Sequence, residues 1–391
     1  MKVLIISSAP YQHAESPLLG VFQKDQYDAL LDQGHEVGVI SPAGRSIRYI
    51  MEFIKNVFAG KPISGGDSTG QILKNTRFNF FPRLRYLEGL FFIVNGKRLY
   101  RQYALRYGKP DVIHAHNALY AGILAEVLWR DTAVPYLITE HSSWILKSSY
   151  RGPINRLIGQ SYINAKAVIS VSNSLATTIK DDFGLTSSTV LPNIMPVEFQ
   201  RYTGQLKTPD SVRPRYIHVA SLDDNKNQIL LLKAFSKILD SKPGATLVII
   251  GHGPNRTRLE AAVRDLRCDH AVEFLGALPR DEVAVQMSKS DIFLLSSFFE
   301  TFGVVVIEAQ AMGLPVVSTP CGGVSDIIDS GLNGHLSADF SVEAYVSSIL
   351  EADKLMSALD KSALRSQALS RFGADGIASS LTHIYELIVA S

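Results

Sequence analysis

The sequence has little cysteine and no long apolar run, and each shortage excludes a class of protein. Its two cysteines, Cys268 and Cys321, lie 53 positions apart in a chain of 391 residues. Such a pair suggests neither a disulfide framework nor a cysteine-rich metal site. The nearest candidate for a membrane span, Leu90–Val94, is far shorter than the roughly 20 residues that cross a bilayer. We therefore do not expect an integral membrane protein.

A leader segment also has no support in the sequence. The start, Met1–Ser7, has too short an apolar core for a signal peptide and continues into a strand–loop–helix pattern. Together with the scarcity of cysteine, this predicts a cytoplasmic protein. The composition, 46% apolar and 19% charged, is that of a folded globular chain. A chain of 391 residues is long enough for two separate cores.

Strand-like and helix-like segments alternate along the chain, which is typical of parallel α/β sheets. In a first domain we predict strands near Val3–Ser7, Glu36–Ser41, Asp111–Ala115, Tyr136–Thr139, Ala167–Val171 and Thr189–Leu191. In a second domain we predict strands near Tyr216–Ala220, Thr246–Ile250, Val272–Leu275, Ile292–Leu295 and Val316–Thr319. Two Rossmann-like domains facing each other across a cleft follow from this pattern.

A polar segment separates the two series of strands. Glu198–Arg215 contains Pro209 and Pro214 and lacks periodic apolar residues, as linkers do. After the second series, apolar residues recur at helical spacing in Ala374–Val389. We place an N-terminal Rossmann-like domain at 1–197, a linker at 198–212, a C-terminal Rossmann-like domain at 213–373, and a final helix at 374–391.

Positive charge is concentrated in one part of the first domain. The segment Arg45–Lys109 contains 13 Lys or Arg against 3 Asp or Glu, whereas the remaining chain contains 26 against 34. Aromatic and basic residues alternate around Arg83 and Arg85. Two interpretations stay open: a surface for an anionic membrane, or a solvated helix face whose aromatic rings lie in the core. Nucleic acid also attracts basic patches, but we expect no nucleic-acid partner.

The segment 297–323 has the strongest chemical pattern. Glu300 follows the buried strand Ile292–Leu295, and Glu308 lies eight residues later inside a predicted helix. Gly303, just before that helix, lets a backbone approach a ligand, and the free N–H groups of a helix start favour phosphate. In parallel sheets ligands bind at the carboxyl ends of strands. The spacing alone leaves a second interpretation open, in which both glutamates are solvated ends of an ordinary βαβ unit.

At this point the sequence resembles a known family. The pattern E-T-F-G-x-x-x-x-E at 300–308, followed by G-L-P-V-V-S-T and C-G-G, is similar to the retaining glycosyltransferases of family four. The resemblance implies their GT-B fold, with two Rossmann-like domains whose parallel sheets face each other across a cleft. It also implies that the N-terminal domain binds the acceptor, that the C-terminal domain binds the nucleotide sugar, and that the final helix crosses back to the first domain. Further segments agree in the family's order: P-L-L-G-V-F at 17–22, D-V-I-H-A-H at 111–116, T-E-H-S-S at 139–143, V-S-N-S-L at 171–175, L-P-N at 191–193, N-K-N at 225–227 and G-H-G-P at 251–254.

The resemblance implies roles on the donor side. Lys226 matches the family lysine that contacts the donor diphosphate, and Glu308 matches the glutamate that binds the donor ribose. Glu300 is expected near the transferred sugar, whose hydroxyls the backbone of Phe302 and Gly303 would contact. Gly20, Gly251 and Gly253 are further donor-binding candidates, and each is also consistent with a simple turn.

One position departs from the family pattern. Ser221 stands where an arginine usually precedes the lysine by five residues. This puts one phosphate contact in doubt, since another cation would have to replace it. The sequence alone does not distinguish such a replacement from weaker donor binding.

The resemblance also implies roles on the acceptor side. His116 matches the second histidine of the family's H-x-H and is our catalytic candidate with Glu300, whereas His114 is expected in the core. We assign acceptor binding to His141, Arg83 and Arg85, with a structural role as the alternative for His141.

Retention of configuration in the family is explained by attack on the front face of the sugar, with the leaving phosphate accepting the proton. Glu300 would then orient the sugar rather than form a covalent intermediate, unlike the nucleophile of retaining hydrolases. No D-x-D motif stands out, since Asp181–Asp182 and Asp223–Asp224 have the pattern of surface pairs. We predict no metal and no cofactor.

The sequence thus predicts transfer of a hexose or N-acetylhexosamine from a nucleotide diphosphate sugar, with a UDP-sugar as first choice. The expected acceptor is a saccharide on a lipid at the inner face of the plasma membrane, as in surface polysaccharide assembly. Three alternatives remain: a GT-B epimerase, a phosphorylase with a lysine-bound pyridoxal cofactor, and a sugar-nucleotide-binding protein that has lost catalysis.

Overall fold

The structure is a computed structural model that describes residues 1–9, 11, 21–46, 71–75, 77–79, 84–142 and 152–391. Within these residues the chain forms two compact units. Unit 1 contains Met1–Val171, Leu175–Pro192 and Ile377–Ser391, and unit 2 contains Ser172–Ser174 and Asn193–Gly376. The domain boundaries that we place at 197, 212 and 373 stay a prediction.

Unit 1 is built on a parallel sheet with the strand order β4-β2-β1-β6-β7-β8-β9, and a separate parallel pair joins β3 to β5. The strands are β1 Lys2–Ser7, β2 Glu36–Ser41, β3 Arg45–Ser46, β4 Gln71–Lys74, β5 Phe78–Asn79, β6 Val112–His116, β7 Tyr136–Glu140, β8 Ala167–Ser170 and β9 Thr189–Val190. Residues of β1 such as Ile5, which pairs with Val39 and His114, are fully buried. Continuous apolar strands of this kind belong to sheets covered on both faces.

Unit 2 contains a second parallel sheet, with the order β12-β11-β10-β13-β14-β15. Its strands are β10 Arg215–Val219, β11 Thr246–Ile250, β12 Val272–Gly276, β13 Ile292–Leu295, β14 Val316–Ser318 and β15 Gly334–Leu336. The connections leave β10 on opposite sides towards β11 and β13, so the strand order reverses between β10 and β13. Open α/β sheets bind ligands at the carboxyl edge of such a reversal. The two predicted Rossmann-like sheets are confirmed, whereas β15 was not predicted.

Helices cover the two sheets. They are α1 Val21–Asp32, α2 Arg85–Tyr107, α3 Ile123–Thr132, α4 Pro153–Asn164, α5 Asn173–Phe183, α6 Val197–Gln200, α7 Gln228–Ser241, α8 Arg256–Asp265, α9 Arg280–Ser288, α10 Val304–Ala311, α11 Val342–Ala358, α12 Lys361–Phe372 and α13 Ala374–Ala390. In the described part of the chain, no helix combines the length and the apolar character that a membrane span needs.

The last helix packs within unit 1. Tyr385 of α13 is fully buried and its hydroxyl lies 2.7 Å from His114 Nδ1, while Thr382 Oγ1 lies 2.8 Å from His35 Nε2. Leu387 follows the helical spacing of the apolar residues in this segment, but it is 59% exposed. The buried face instead continues through Tyr385 and Ile388, because the helix turns by 3.6 residues per turn.

The polar segment before β10 is more ordered than a flexible tether. It begins with the short helix α6 and lies within unit 2, where the N–H of Lys207 donates to Ser288 O at 2.8 Å. The Lys207 ammonium pairs with the buried Asp291 at 2.5 Å. Polar side chains of this segment therefore have partners in unit 2, and their lack of apolar periodicity does not indicate disorder.

Candidate functional site

In unit 2, two loops meet at the carboxyl ends of β10 and β13. The loop after β10 presents Lys226, and the loop after β13 presents Glu300. Lys226 Nζ lies 2.6 Å from Glu300 Oε1, and both side chains are mostly buried. Ser297 Oγ donates a second hydrogen bond to the same oxygen at 2.6 Å. The pair brings a cation and an oriented carboxylate to the edge where parallel sheets bind ligands.

Hydrogen bonds between the loops fix this pair. The N–H of Phe298 donates to Asn225 O at 2.7 Å, and Asn225 Nδ2 donates to Phe299 O at 3.0 Å. Ser296 Oγ donates to the carbonyl of Lys226 at 2.8 Å. Because each loop bonds to the backbone of the other, the position of the lysine depends on both strands.

Asp223 shapes the turn that carries Lys226. Its side chain accepts hydrogen bonds from the N–H groups of Asn225 and Lys226, which closes a 3₁₀ turn over Asp224–Lys226. Ser221 Oγ donates to Asp223 Oδ2 at 2.6 Å. The serine thus supports the turn, and its hydroxyl supplies no positive charge in place of the family arginine.

Gly303 immediately precedes α10 and has a backbone conformation that favours glycine. Its φ is +92°, and a Cβ built there would lie 2.8 Å from Val324 Cγ1. The side chain of Phe302 is buried against Phe372, with ring centroids 5.9 Å apart, so only its backbone is suited to ligand contact. Glu308 is largely buried inside α10.

Gly251 and Gly253 have a packing reason for being glycine. A Cβ on Gly251 would lie 1.8 Å from Ala220 O, and one on Gly253 would lie 2.3 Å from Leu222 O. The N–H of Leu222 donates to His252 O at 3.0 Å. These glycines let the chain after β11 run against the loop that leads to Lys226. Their donor contact stays a prediction.

Three histidines stack at the carboxyl ends of β6 and β7 in unit 1. His116 Nδ1 lies 3.0 Å from His141 Nε2, with the two rings nearly parallel, and the His116 ring also stacks on His114, with ring centroids 4.5 Å apart. Burial lowers the pKa of His116 well below its usual value, and the neighbouring histidines lower it further. His116 is therefore neutral near pH 7.

His116 and His114 differ in their hydrogen bonding. His114 lies between Tyr385 OH and Thr139 Oγ1, each at 2.7 Å, and burial lowers its pKa to about 3. Both of its nitrogens are satisfied, which agrees with a core histidine. His116 Nε2 is buried and has no hydrogen-bond partner among the described residues. A buried polar nitrogen without a partner is unfavourable, so His116 is suited to ligand contact.

The chain matches two family models, one over each series of strands. Residues 20–199 match the model described as Glycosyltransferase Family 4, and residues 207–364 match the model described as Glycosyl transferases group 1. This chain belongs to these glycosyltransferase families. The predicted family is confirmed, and the protein is a group 1 glycosyltransferase that transfers a sugar from a nucleotide sugar.

Known proteins resemble this glycosyltransferase over most of its length. TuaC of Bacillus subtilis, which its name assigns putatively to teichuronic acid biosynthesis, is 28% identical over 86% of this chain and 85% of its own. Sucrose-phosphate synthase from Thermosynechococcus elongatus, at 18% identity, superposes with a TM-score of 0.77 over 100% of this chain and 99% of its own. Anabaena HepE in complex with UDP is also 18% identical in sequence. It superposes with a TM-score of 0.71 over 98% of this chain and 99% of its own. The GT-B fold is confirmed.

Some predicted site residues of the glycosyltransferase cannot be placed. Gly20 and Arg83 lie outside the described residues, and so does the side chain of Arg85, the first residue of α2. In the described part of the chain, no group of three or more His, Cys, Asp or Glu residues is arranged to hold a metal ion. The absence of a metal or cofactor from the reaction stays a prediction.

Sequence reasoning missed the residues that support the histidines of this glycosyltransferase. Glu140 is fully buried and accepts hydrogen bonds from Ala118 N at 2.8 Å, Tyr162 OH at 2.7 Å and Ser142 N at 2.8 Å. Burial raises its pKa, which the hydrogen bonds counteract. Asn117, at φ +70°, accepts from His141 N at 3.0 Å. The motif T-E-H-S-S contains Glu140. An acidic residue at the end of an apolar strand could have indicated a buried supporting role.

Proposed function

We propose that this protein is a retaining hexosyltransferase of surface polysaccharide biosynthesis. Its donor would be a nucleotide diphosphate hexose or N-acetylhexosamine, with UDP as the first choice of nucleotide. Its acceptor would be a saccharide on a lipid at the inner face of the plasma membrane. The similarity to TuaC supports the pathway class, and the UDP complex of HepE supports the choice of nucleotide.

The pair formed by Lys226 and Glu300 carries this proposal. Cleavage of the sugar–phosphate bond leaves negative charge on the diphosphate, so a cation and backbone donors must meet it. Lys226 supplies the cation, and the N-terminus of α10 after Gly303 supplies N–H groups and the positive end of a helix. A donor diphosphate would compete with Glu300 for the ammonium, which would release the carboxylate towards the sugar.

The hydrogen bonding of Glu300 favours a reaction that retains the anomeric configuration of the sugar without a protein nucleophile. Ser297 Oγ donates a hydrogen bond to Glu300 Oε1, and this bond does not involve Lys226, so it would lower the nucleophilicity of the carboxylate after a donor diphosphate has taken the ammonium. In the proposed step the bond from the anomeric carbon to the diphosphate oxygen breaks, and the acceptor oxygen bonds to the same face. The acceptor proton passes to the leaving phosphate, so the charges balance without a cofactor. His116, neutral and with Nε2 without a partner among the described residues, would bind a sugar hydroxyl.

Helix α2 supports the choice of a lipid-linked acceptor. Large apolar residues on its first turns are exposed, with Tyr86 at 68%, Leu90 at 54% and Val94 at 55%. The surrounding segment carries the excess of positive charge noted in the sequence. Apolar side chains together with basic residues suit the boundary between anionic headgroups and lipid chains.

Donor binding followed by product stereochemistry tests this function. We expect one nucleotide diphosphate sugar from a panel to raise the melting temperature, and nuclear magnetic resonance to show the donor's anomeric configuration in the product. Lys226→Ala should lower kcat at least tenfold, because the leaving diphosphate loses its cation. Lys289→Ala, which removes an exposed lysine of the same unit, should match the wild type.

The outcomes separate the proposal from its alternatives. A donor that binds without any turnover would indicate a sugar-nucleotide-binding protein. A product of inverted configuration would refute retention, and equal rates for Lys226→Ala and the wild type would refute this site.

A further inference from the structure

Arg98 and Arg77 both donate a hydrogen bond to Asn75 at the end of β4 in unit 1. Arg98, on α2, is partly buried, and its Nη2 donates to Asn75 Oδ1 at 3.4 Å. The backbone N–H of Arg77 donates to the same oxygen at 3.1 Å. Arg98 Nε is buried without a hydrogen-bond partner in the described part of the chain. Within those same residues, neither guanidinium pairs with a carboxylate.

The surroundings of Arg98 are unfavourable for its charge. Burial lowers the pKa of Arg98, and the positive charge of Arg77 lowers it further. Asn75 is buried, and its Nδ2 donates to Pro42 O at 3.0 Å, which turns Oδ1 towards both arginines. The charge of Arg77 thus acts on Arg98, and like charges beside an unsatisfied donor are stabilised when an anion joins them. Among the described residues no anion meets this cluster, and an anion is the kind of ligand that its charges favour.

The cluster lies on the same edge of the sheet as His116. Asn75 follows the carboxyl end of β4, and His116 ends β6, in the parallel order β4-β2-β1-β6. Three strand spacings separate them, which is about 14 Å. Both groups therefore lie along one edge of unit 1, at a distance that an extended acceptor can span.

Helix α2 brings apolar surface next to the arginines. Tyr103 OH donates to Gln71 Oε1 at the start of β4, whereas Arg98 lies at the strand's end, so the helix runs antiparallel to the strand. Its first turns consequently extend past the carboxyl edge. The exposed Leu90 and Val94 lie on these turns.

We propose that Arg77 and Arg98 bind a phosphate group of the acceptor, about 14 Å from His116 along the carboxyl edge of the sheet. This inference rests on the proposed function and specifies the acceptor as a phosphate-bearing saccharide. Two guanidinium forks require three or more acceptor oxygens, which a phosphate offers and a single carboxylate does not. The phosphate comes either from a polyprenyl carrier or from a soluble glycosyl phosphate, and the experiment distinguishes the two.

The first experiment follows the arginine Nε–H resonances while inorganic phosphate is added to the full chain. The Arg98 signal, assigned by its loss in Arg98→Lys, should shift to saturation. Arg77→Gln should weaken phosphate binding about tenfold, because one charge-assisted contact is lost. Arg101→Gln removes an exposed positive charge one turn away on the same helix and should leave binding unchanged. An Arg98 signal that does not move, or an equal loss in Arg101→Gln, overturns the proposal.

The second experiment measures competition against acceptor turnover. One arm adds phosphatidylcholine vesicles containing a polyprenyl phosphate, and the other adds a soluble hexose 1-phosphate. Inhibition that is relieved by excess acceptor in either arm supports the site and identifies the source of the phosphate. In Arg98→Gln the KM for the acceptor should rise tenfold to a hundredfold, while the KM for the nucleotide sugar stays constant. No inhibition in either arm overturns the proposal.

The controls separate a failure of this inference from a failure of the proposed function. Donor binding is measured by thermal shift in unit 2 and does not involve Arg77 or Arg98. If a donor binds and phosphate leaves Arg98 unaffected, the acceptor inference alone fails. If no donor binds, the proposed function fails, and the phosphate titration still reports on the arginines. Arg77 is exposed, so Arg77→Gln provides a folded variant if Arg98→Gln melts early.

Discussion

His116 and His141 depend on each other for the placement of a proton. Their nitrogens lie 3.0 Å apart, so one nitrogen must donate and the other must accept. Because burial keeps His116 neutral, this bond decides whether its Nε2 carries a hydrogen. His141 thus acts as a positioning residue for the catalytic candidate, in addition to the acceptor-binding role expected from the sequence.

Removal of His141 should impair turnover more than donor binding. In His141→Ala the partner of His116 Nδ1 is lost, and we expect kcat/KM for the acceptor to fall about tenfold to a hundredfold. The thermal shift produced by the nucleotide sugar should be unchanged. His383→Ala, at an exposed position of α13, is the control. Equal kinetics in the two variants would contradict the positioning role.

His114 should make the stability of unit 1 depend on pH. Its pKa falls from about 6.5 in the unfolded chain to about 3 in the folded protein, so the unfolded state binds the proton first as the pH drops. The folded state therefore loses stability between pH 6.5 and 3. We would measure the free energy of unfolding in urea at pH 6.5 and at pH 5. Between these pH values it should fall by about 2 kcal/mol more in the wild type than in His114→Gln. If the free energy of unfolding changed equally with pH in both proteins, His114 would not be the cause of the pH dependence.

At the scale of elements, α10 depends on its glycine start. The residue before the helix has a left-handed backbone and faces Val324, so a larger residue must both strain the chain and displace a neighbour. Since the helix start lies beside the pair of Lys226 and Glu300, strain there would move the proposed phosphate donors.

Gly303→Ala should therefore reduce both stability and donor binding. We expect a loss of about 1–3 kcal/mol in the free energy of unfolding, together with a weaker thermal shift by the nucleotide sugar. Gly276→Ala is a matched control, since Gly276 also has a positive φ but a Cβ there would meet nothing within 4 Å. In that variant the free energy of unfolding should fall by only about 1 kcal/mol, and donor binding should be retained. Equal donor binding in both variants would exclude the role of the helix start.

The sequence predicted elements better than contacts between them. Apolar runs such as Ile292–Leu295 indicate strands, because a strand that is buried on both faces consists almost entirely of apolar residues. The pairing of Lys226 with Glu300 joins residues 74 positions apart and depends on β10 lying beside β13. The order of strands in a sheet cannot be predicted from any short stretch of sequence. The contact between Lys226 and Glu300, and the contact between His116 and His141, are therefore known only from the structure. β15 is short and contains Gly334, and thus lacked a strand pattern.

At the scale of the whole molecule, the proposed membrane contact rests on the apolar face of α2 and the basic composition around it. Each basic residue near an anionic surface contributes about 1 kcal/mol at low salt, and each inserted leucine contributes about 1.5–3 kcal/mol. Neither contribution needs a helix that spans the membrane.

Vesicle sedimentation tests this association. The protein should bind vesicles containing phosphatidylglycerol more tightly than pure phosphatidylcholine, and the difference should shrink as salt rises. Leu90→Glu should weaken binding about tenfold. Leu387→Glu, on an exposed position of α13, should not. If both variants bind equally, α2 is not the membrane contact.

The order of the chain has a consequence for biosynthesis. Unit 2 is almost contiguous, whereas unit 1 combines residues from before and after it. Tyr385, which is fully buried beside His114, leaves the ribosome only after unit 2 is complete. Domains generally fold as units during synthesis, so the later unit can mature while the earlier one waits for its last helix. During this interval the partly folded first unit is the species that chaperones would have to protect.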